Sequence, residues 1–576
     1  MAVFSICLPE SVRAEDTVGQ NRTFLVDKNY DSQKRSSLTA SLRLIGRHAY
    51  YYVDDSFWSA RSSDQHDALL RQITTLADTF DTVIYPTETT TWGSEPNPGV
   101  DGDPRVYILL DSLTTGSGGY FETIHGYRKD QAPQSNEHEM MVISTVALDT
   151  SLTKTFLAHE FQHLISFQQK ELAHSISEET WLNELRSQYA PTLVGFNAPY
   201  TGSDLERRVN TFLQNPLDSL TEWPNTVQDY APVTLFGHYA TGRFGVGILS
   251  DSLKSALTGI TSLNQWLTDK KLPQRFSQVF IDWVIASYIN DHGGDGRYGY
   301  AQPALQNIHV SPTYRSMLSN TAQYALTYSL KGWEPLWHEM PLDQPLDNDH
   351  GLKISFAGTT GDLFPFGLVV FYSDGTFQVR NDKPLNGPFT MYVLNPEPQV
   401  GQPVKRVTKV LLALTYAPSY LGGTYEEKNL NGQIQTLTAE EILQEVKAAP
   451  PDTVIVSTES VQDGALIKRN NNETEMYVVT GRYKRYLRPE IIRLYGQLDP
   501  AQVIPVVPSI FDSYSTANYV RAAGDKKVWV VWPDGTKHWL NITGEQFTSS
   551  GRDWNAIFTI NDAELAAYKV GVDITR

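Results

Sequence analysis

The chain has 576 residues, enough for three to five domains at about 100–200 residues each. Hydrophobic residues make up 40% and charged residues 19%, with 12 Trp, 30 Tyr and 23 Phe, which supplies packed cores and excludes a wholly disordered chain. A balance of 65 acidic against 47 basic side chains gives a net charge of −18, which excludes a basic nucleic-acid-binding surface, and no run of ~18 apolar residues is present to span a membrane.

Residues 1–9 are short and apolar, and Val12-Arg13-Ala14 before Glu15 has the small −3/−1 residues of a signal-peptidase site, though no basic stretch precedes it. An ordinary frayed terminus fits the same letters. Cys7 is the single cysteine, so an internal disulfide and a cysteine-type zinc site are both excluded. Residues 1–38 therefore read as an N-terminal segment, either the remnant of a signal or a propeptide, and the chain as secreted or displayed at the cell surface.

From residue 39 the pattern becomes that of an α+β domain. Residues 41–45 and 48–53 alternate as strands do, and Leu69, Leu70, Ile73, Leu76, Ala77 and Phe80 recur at helical spacing. Residues 105–110 read as a buried strand entered through the turn-rich stretch 97–104. Asp101 and Asp103 in that stretch read as turn formers, with a Ca²⁺ site as the less favoured alternative because the spacing is not that of an EF-hand. Gly116–Gly119 lacks a following Lys-Ser/Thr and so is not a phosphate loop. A strand at 140–144 comes next, then long helical stretches at 152–170, 178–193, 231–253 and 263–290.

After residue 346 the text changes to short strands, 352–356, 368–371, 377–380, 389–393 and 410–415, separated by Gly, Pro, Asn and Asp, which predicts a β-sandwich over 347–452. Helix 439–449 ends in Pro450-Pro451, a linker signal. Residues 453–576 carry an internal repeat: 476–479 followed by 484–487, then 528–531 followed by 537–540 across a turn at Pro533-Asp534-Gly535. Two tandem β-rich modules are predicted there, binding or spacing units for a surface or cell-wall component rather than catalysts.

The chemistry sits in Phe156-Leu157-Ala158-His159-Glu160-Phe161-Gln162-His163-Leu164-Ile165. Residues four apart lie on one helix face, so His159 and His163 can offer two imidazole nitrogens to one metal ion, while Glu160 is turned aside to reach a water. Catalytic zinc needs a third protein ligand and an open position. Ser166 and Gln169 stand where a metzincin would place its Gly and third His. Glu184, 21 positions after His163 and set among Trp181, Leu182, Leu185 and Tyr189, is the favoured third ligand, since a carboxylate in an apolar run needs a partner. His174 reads better as a loop histidine, and Glu178 and Glu179 as solvated residues at a helix start.

H-E-x-x-H followed by Asn183-Glu184 on a second helix resembles the gluzincin metallopeptidases, the group of thermolysin, and most of all the hyicolysin-like neutral metallopeptidases. Residues 97–106, Gly118-Gly119-Tyr120-Phe121, 135–140 and 181–184 support the likeness, which covers about residues 40–345. The resemblance implies a thermolysin-like catalytic domain over 39–346, with Zn²⁺ held by His159, His163 and Glu184 and Glu160 as general base. It also implies that 140–144 is the edge strand along which a peptide substrate lies. The oxyanion donor would come from 230–244, with Tyr230 first and His238 second. Two positions depart from the group: Leu185-Arg186 replace a small residue after the Asn-Glu pair, and Gln188 stands where a carboxylate usually orients a ligand histidine.

The expected activity is that of an endopeptidase acting on proteins or peptides, because the G-x-M-E-N anchor of gluzincin aminopeptidases is missing. The alternatives are an inactive surface protein on a peptidase scaffold, against which the intact Glu160 speaks, and a wall- or carbohydrate-binding protein driven by the C-terminal modules.

Overall fold

A computed structural model describes residues 15–575 apart from 149, 151, 320–322, 358–361, 381–384, 386, 397–403, 419–425, 449–453, 457–462, 470–473, 482, 496–497, 501–502, 507–510 and 512–513. Cys7, the signal-like residues 12–14 and the linker prolines at 450–451 lie outside the described residues. The architecture is mixed α+β and divides into two units, the first running to Ser311 and taking in Lys331–Pro335, the second beginning at Pro312. The division expected at 346 thus falls inside the second unit, which already owns the strands Tyr314–Arg315, Gln323–Lys331 and Leu336–Pro341 except for a few residues at its border.

The first unit is built on a six-stranded sheet whose spatial order is Asn21–Leu25, Ser37–Ile45, Ala49–Asp54, Val106–Asp111, Met140–Ser144 and Gly119–Phe121. The three strands from Ala49, Val106 and Met140 pair in parallel and are buried at every position, as strands covered on both faces are. Helix Ser63–Thr79, a π turn at Phe80–Ile84 and helix Tyr85–Trp92 make the crossover from the first to the second of these. Gln65 accepts a hydrogen bond from the Ser62 backbone N–H at 2.9 Å and so fixes the start of that crossover.

Two expectations change here. Met140–Ser144 has a neighbour on each side, so it is interior; the edge strand is Gly119–Phe121, antiparallel to it. The described part of the N-terminal segment, from residue 15, joins this sheet, since Asn21–Leu25 pairs with Ser37–Ile45 along its whole length.

Helices Leu152–Ser166, Thr180–Leu193, Asp204–Gln214 and Tyr230–Phe244 follow. The stretch expected as one helix at 231–253 breaks at Gly245, which takes φ +79° and lets a second helix, Gly247–Leu253, start in a new direction. The stretch 263–290 likewise divides into Gly259–Asp269 and Phe276–Ile289 around Pro273. Helix Asp204–Gln214 went unpredicted: its inward face is Leu205, Arg208, Val209 and Phe212, and the charged letters between them mask the period.

In the second unit two five-stranded sheets enclose one core. One sheet has the order Val454–Val456, Pro388–Val393, His350–Ala357, Glu427–Thr438, Gln323–Lys331; the other runs Phe377–Arg380, Phe366–Tyr372, Val407–Leu414, Leu336–Pro341, Tyr314–Arg315. Ile354 and Phe356 of the first and Leu368, Val370 and Leu412 of the second are among its fully or nearly fully buried residues. The C-terminal repeat is a repeat of topology as well as of letters. Leu466–Arg469, Met476–Thr480 and Tyr483–Leu487 form an antiparallel meander flanked by two parallel strands, and Tyr519–Ala522, Trp529–Val531 and Thr536–Trp539 do the same. The two modules are fused rather than strung in tandem: Leu466, Val478 and Leu487 of the first share a core with Val520, Phe558 and Ile560 of the second.

Candidate metal centre

Helix Leu152–Ser166 lies against the edge of the six-stranded sheet, and two glycines make this approach possible. A Cβ on Gly118 would sit 2.5 Å from the Phe156 ring, and one on Gly119 would sit 2.9 Å from both Glu160 Cγ and the Val142 carbonyl oxygen. Helix Thr180–Leu193 packs on its other side. Leu185 finds room because a Cβ on the facing Gly237 would lie only 3.1 Å from Leu185 Cδ2, so the small residue missing after Glu184 is supplied by the neighbouring helix. Arg186, the other departure, is fully buried: it donates to Glu178 at 2.6 Å, to the Leu249 carbonyl at 3.2 Å and to Ser252 Oγ at 3.1 Å. Glu178, expected as a solvated helix-start residue, is therefore a buried ion-pair partner whose side chain is 3% exposed, and Lys170 Nζ stands 3.5 Å from the same oxygen.

The two helices bring three ligand atoms together. His159 Nε2 and His163 Nε2 are 3.1 Å apart, and Glu184 Oε2 lies 3.3 Å from the first and 3.5 Å from the second. An ion held tetrahedrally at about 2.0–2.1 Å from nitrogen and oxygen ligands spaces them by about 3.3–3.4 Å, so the triangle has the size zinc requires. Glu184 Oε2 is buried and makes no hydrogen bond, although it faces two imidazole nitrogens. An acceptor aimed at two nitrogens with no donor between is a donor set waiting for a cation. His159, His163 and Glu184 form the one His/Cys/Asp/Glu group of metal-holding geometry among the described residues. The ion's identity is not fixed by that geometry.

Hydrogen bonds behind the histidines set their tautomers. Ser187 Oγ donates to Gln162 Oε1 at 2.6 Å, so toward His163 Nδ1, 3.1 Å away, it accepts; Nδ1 then carries the proton and Nε2 turns its lone pair inward. Gln188 faces His159 Nδ1 at 3.4 Å with its amide nitrogen, while its oxygen accepts from Arg208 Nε at 3.2 Å. Arg208 and Thr234 both donate to that oxygen and so hold the amide in this orientation, with Gln188 offering His159 a donor rather than the carboxylate acceptor of the gluzincin pattern.

The charges are mutually adjusted. Burial works against ionised Glu184, but His163 and His159 outweigh it and hold this carboxyl well below its ordinary range. Burial also disfavours protonated His163, yet Glu184 and Glu160 push it up to about 8. Glu160 is shifted upward, by burial first.

A cavity of about 230 Å³ opens on the triangle, with Gly119, Tyr120 and Phe121 of the edge strand, Glu160, Tyr230 and Tyr30 on its walls. Burial pushes the Tyr230 phenol well up, so it remains a hydrogen-bond donor, and Arg208 stacks over its ring at 4.5 Å. His238 does not reach the cavity. It is eight residues further along the same helix, about 12 Å at 1.5 Å per residue, and buried beside Tyr189 and Thr192, where burial lowers its pKa to about 4. Tyr30 and Arg208 were missed. Tyr30 stacks on Tyr120 at 4.7 Å, brought in by the pairing of the N-terminal strand, and no local signal marks it. His174 sits exposed against the Lys254 carbonyl, and Glu179 accepts from Trp181 Nε1 at 2.7 Å. Asp101 and Asp103 serve the turn: Asp101 accepts from the Asp103 N–H and meets His138 Nδ1 at 2.8 Å, while Asp103 takes the Tyr50 hydroxyl at 2.7 Å and the Arg105 N–H.

No known protein family matches the sequence, and no curated protein resembles it significantly. Several solved structures share a local likeness. PfGH50B matches at 15% identity over 20% of this chain and 22% of its own, with a TM-score of 0.14. The Aeromonas hydrophila periplasmic inhibitor of g-type lysozyme matches at 9% identity over 22% of this chain and 98% of its own, TM-score 0.13. T=1 particles derived from infectious bursal virus match at 14% identity over 24% and 34%, TM-score 0.14. The chain thus spans about a fifth of the first of these, and likenesses this slight carry no argument about fold or function. No helix among the described residues is long and apolar enough to cross a membrane.

Proposed function

We propose that the chain is a secreted or surface-displayed zinc endopeptidase of the gluzincin type, with a thermolysin-like catalytic unit. One observation carries the reading: the triangle of His159, His163 and Glu184 atoms, 3.1–3.5 Å on its edges, opens on the cavity that also holds Glu160. Zinc in that triangle would supply a Lewis acid for the scissile carbonyl and acidify the attacking water. The chain's own residues do the rest. Glu160, its pKa raised by burial, accepts the water's proton and returns it to the leaving amine. Tyr230 donates its hydroxyl proton as a hydrogen bond to the developing oxyanion. The edge strand Gly119–Phe121 pairs with an extended substrate, and Ser187 keeps His163 in the ligating tautomer. The fused C-terminal modules would act as a binding unit for a surface component, with the half-exposed Trp532 and Trp554 as stacking platforms.

Digestion of unfolded casein by zinc-loaded wild type beside Glu160→Gln tests this. Cleavage by the wild type with a loss of at least ~100-fold in the variant, at equal zinc content, is the expected result. Equal rates would mean that Glu160 is not the base. Full zinc content with no digestion by either protein would favour the inactive scaffold.

A further inference from the structure

The cavity continues beyond the metal triangle. Along the same helix its lining runs past Ser166 and Phe167 to Lys170 and Glu171, and Phe121 and Glu178 line it as well. A π turn at Phe167–Leu172 carries three of these groups, and such single π turns often mark functional places in helices.

Accounting for charge at this far end leaves one group with capacity to spare. Lys170 Nζ has three protons, and the carbonyls of Ser252, Ser255 and Leu257 take them at 3.0, 2.9 and 2.5 Å. Glu178 is filled on both oxygens: Oε1 accepts from the N–H groups of Glu179 and Gly259 at 3.0 and 2.7 Å, and Oε2 meets Arg186 at 2.6 Å. Glu171 differs. Its Oε2 accepts from the Tyr127 hydroxyl at 3.1 Å, and no cationic side chain among the described residues pairs with it. Two aromatic rings line the cavity here, Phe121 and Phe167, 6.0 Å apart, and Tyr127 backs Phe167 edge-on at 5.4 Å.

Rings along the walls and an unpaired carboxylate at the end suit a long side chain with an apolar stem and a cationic head. We propose that this arm of the cavity is a subsite for lysine or arginine in the substrate and that Glu171 sets the preference, an inference that rests on the peptidase reading above. The net charge of −18 would also draw basic polypeptides toward the protein.

Fluorogenic peptides of one sequence, varied to Arg, Lys, Leu, Gln or Glu on either side of the cleaved bond, test the proposal with wild type and Glu171→Gln. Wild type should cleave the Arg and Lys peptides at least ~10-fold better in kcat/KM than the Leu peptide at one of the two positions. Glu171→Gln should lose that preference and leave the Leu peptide within about 2-fold of wild type. Binding is read separately by fluorescence anisotropy on Glu160→Gln, where adding Glu171→Gln should weaken the Arg peptide about 10-fold and spare the Leu peptide. Cleavage without a basic preference, or a preference that survives Glu171→Gln, overturns the subsite and leaves the peptidase reading standing. Absence of all cleavage by the zinc-loaded wild type overturns the peptidase reading instead. The subsite then stands if Glu160→Gln binds basic peptides selectively through Glu171, and falls if it does not.

Discussion

Glu564 and Glu184 are both buried carboxylates next to buried basic groups, yet their surroundings differ in kind. Glu564 in the C-terminal module pair is fully enclosed and fully answered: Arg485 reaches its two oxygens at 2.6 and 3.2 Å, and the hydroxyls of Tyr568 and Tyr495 complete the set. The lysines at equivalent places of the two modules follow the same rule, with Lys484 donating to the Phe511 and Tyr514 carbonyls and Lys537 to the Leu565 carbonyl. At the metal centre, an oxygen and two nitrogens face one another across 3.1–3.5 Å and nothing in the chain stands between them. A closed network is complete by itself and serves folding; an open one is completed from outside. The contrast also separates Glu184 from Glu178, six positions earlier in the chain, since Glu178 is closed by Arg186 and by two backbone N–H groups.

Breaking the closed network should cost most. Glu564→Ala strands a buried guanidinium, and a loss of about 3–5 kcal/mol in denaturant unfolding is expected, unchanged by zinc. Replacing both partners at once, Arg485→Met with Glu564→Leu, should cost less than Glu564→Ala alone, because no charge is then left unpaired.

The open network should respond in the opposite way. Glu184→Ala or His159→Ala removes one corner of the triangle, and Glu184→Ala also takes away the carboxylate that the two histidines hold ionised, so the decisive readout is the response to zinc rather than apo stability. Wild type should gain about 2.7 kcal/mol with free zinc at a hundred times its dissociation constant, and either variant should gain nothing. A chelator titration followed by calorimetry reads this directly, and a zinc-dependent shift surviving in Glu184→Ala would mean that the third ligand lies elsewhere. Ser187→Ala is the finer cut: the triangle remains, but His163 loses the acceptor for its Nδ1 proton, and zinc binding should weaken by about 10-fold.

The comparison also explains what the letters alone could convey. His159, Glu160, His163 and Glu184 were legible because a helix fixes which residues share a face, so spacing is already geometry. Tyr230 stood at the start of its helix and reaches the cavity, while His238, on the same helix, is carried past it by two turns. Tyr30 and Arg208 arrive through strand pairing and a polar-lettered helix, and tertiary placement of that kind has no local period. The edge strand was misassigned because apolar runs mark interior strands; the true edge, Gly119–Phe121, is three residues long and begins with the glycine that admits Glu160. Leu185 looked like a departure because the small residue it displaced is supplied by Gly237, from a different helix. In the second unit the module repeat was readable as letters, but the core shared by the modules was not, since each hairpin shows only its own alternation.

One cluster lies between the two extremes and gives the smallest effect. Asp31, Asp54 and Asp111 are buried around Arg35, at 2.7, 3.0 and 2.9 Å, and three carboxylates share one guanidinium. Asp111 Oδ2 is left without a hydrogen bond, and burial, with Asp31 adding to it against Arg35, raises the Asp111 carboxyl to about 7. The sign follows from proton uptake. Between the ordinary value of 3.8 and about 7 the folded state holds a proton that the unfolded state has released, so stability falls as pH rises through that window. Asp111→Asn keeps an acceptor for Arg35 and the Ser112 N–H but cannot ionise, so its stability should fall less from pH 4 to pH 7 than that of wild type. Because Asp111 is coupled to Asp31 and Arg35, which adjust when it ionises, the difference should be about 1 kcal/mol across the window. Parallel pH slopes for the two proteins would mean that the cluster is closed after all, with Arg35 satisfying all three carboxylates as Arg485 satisfies Glu564.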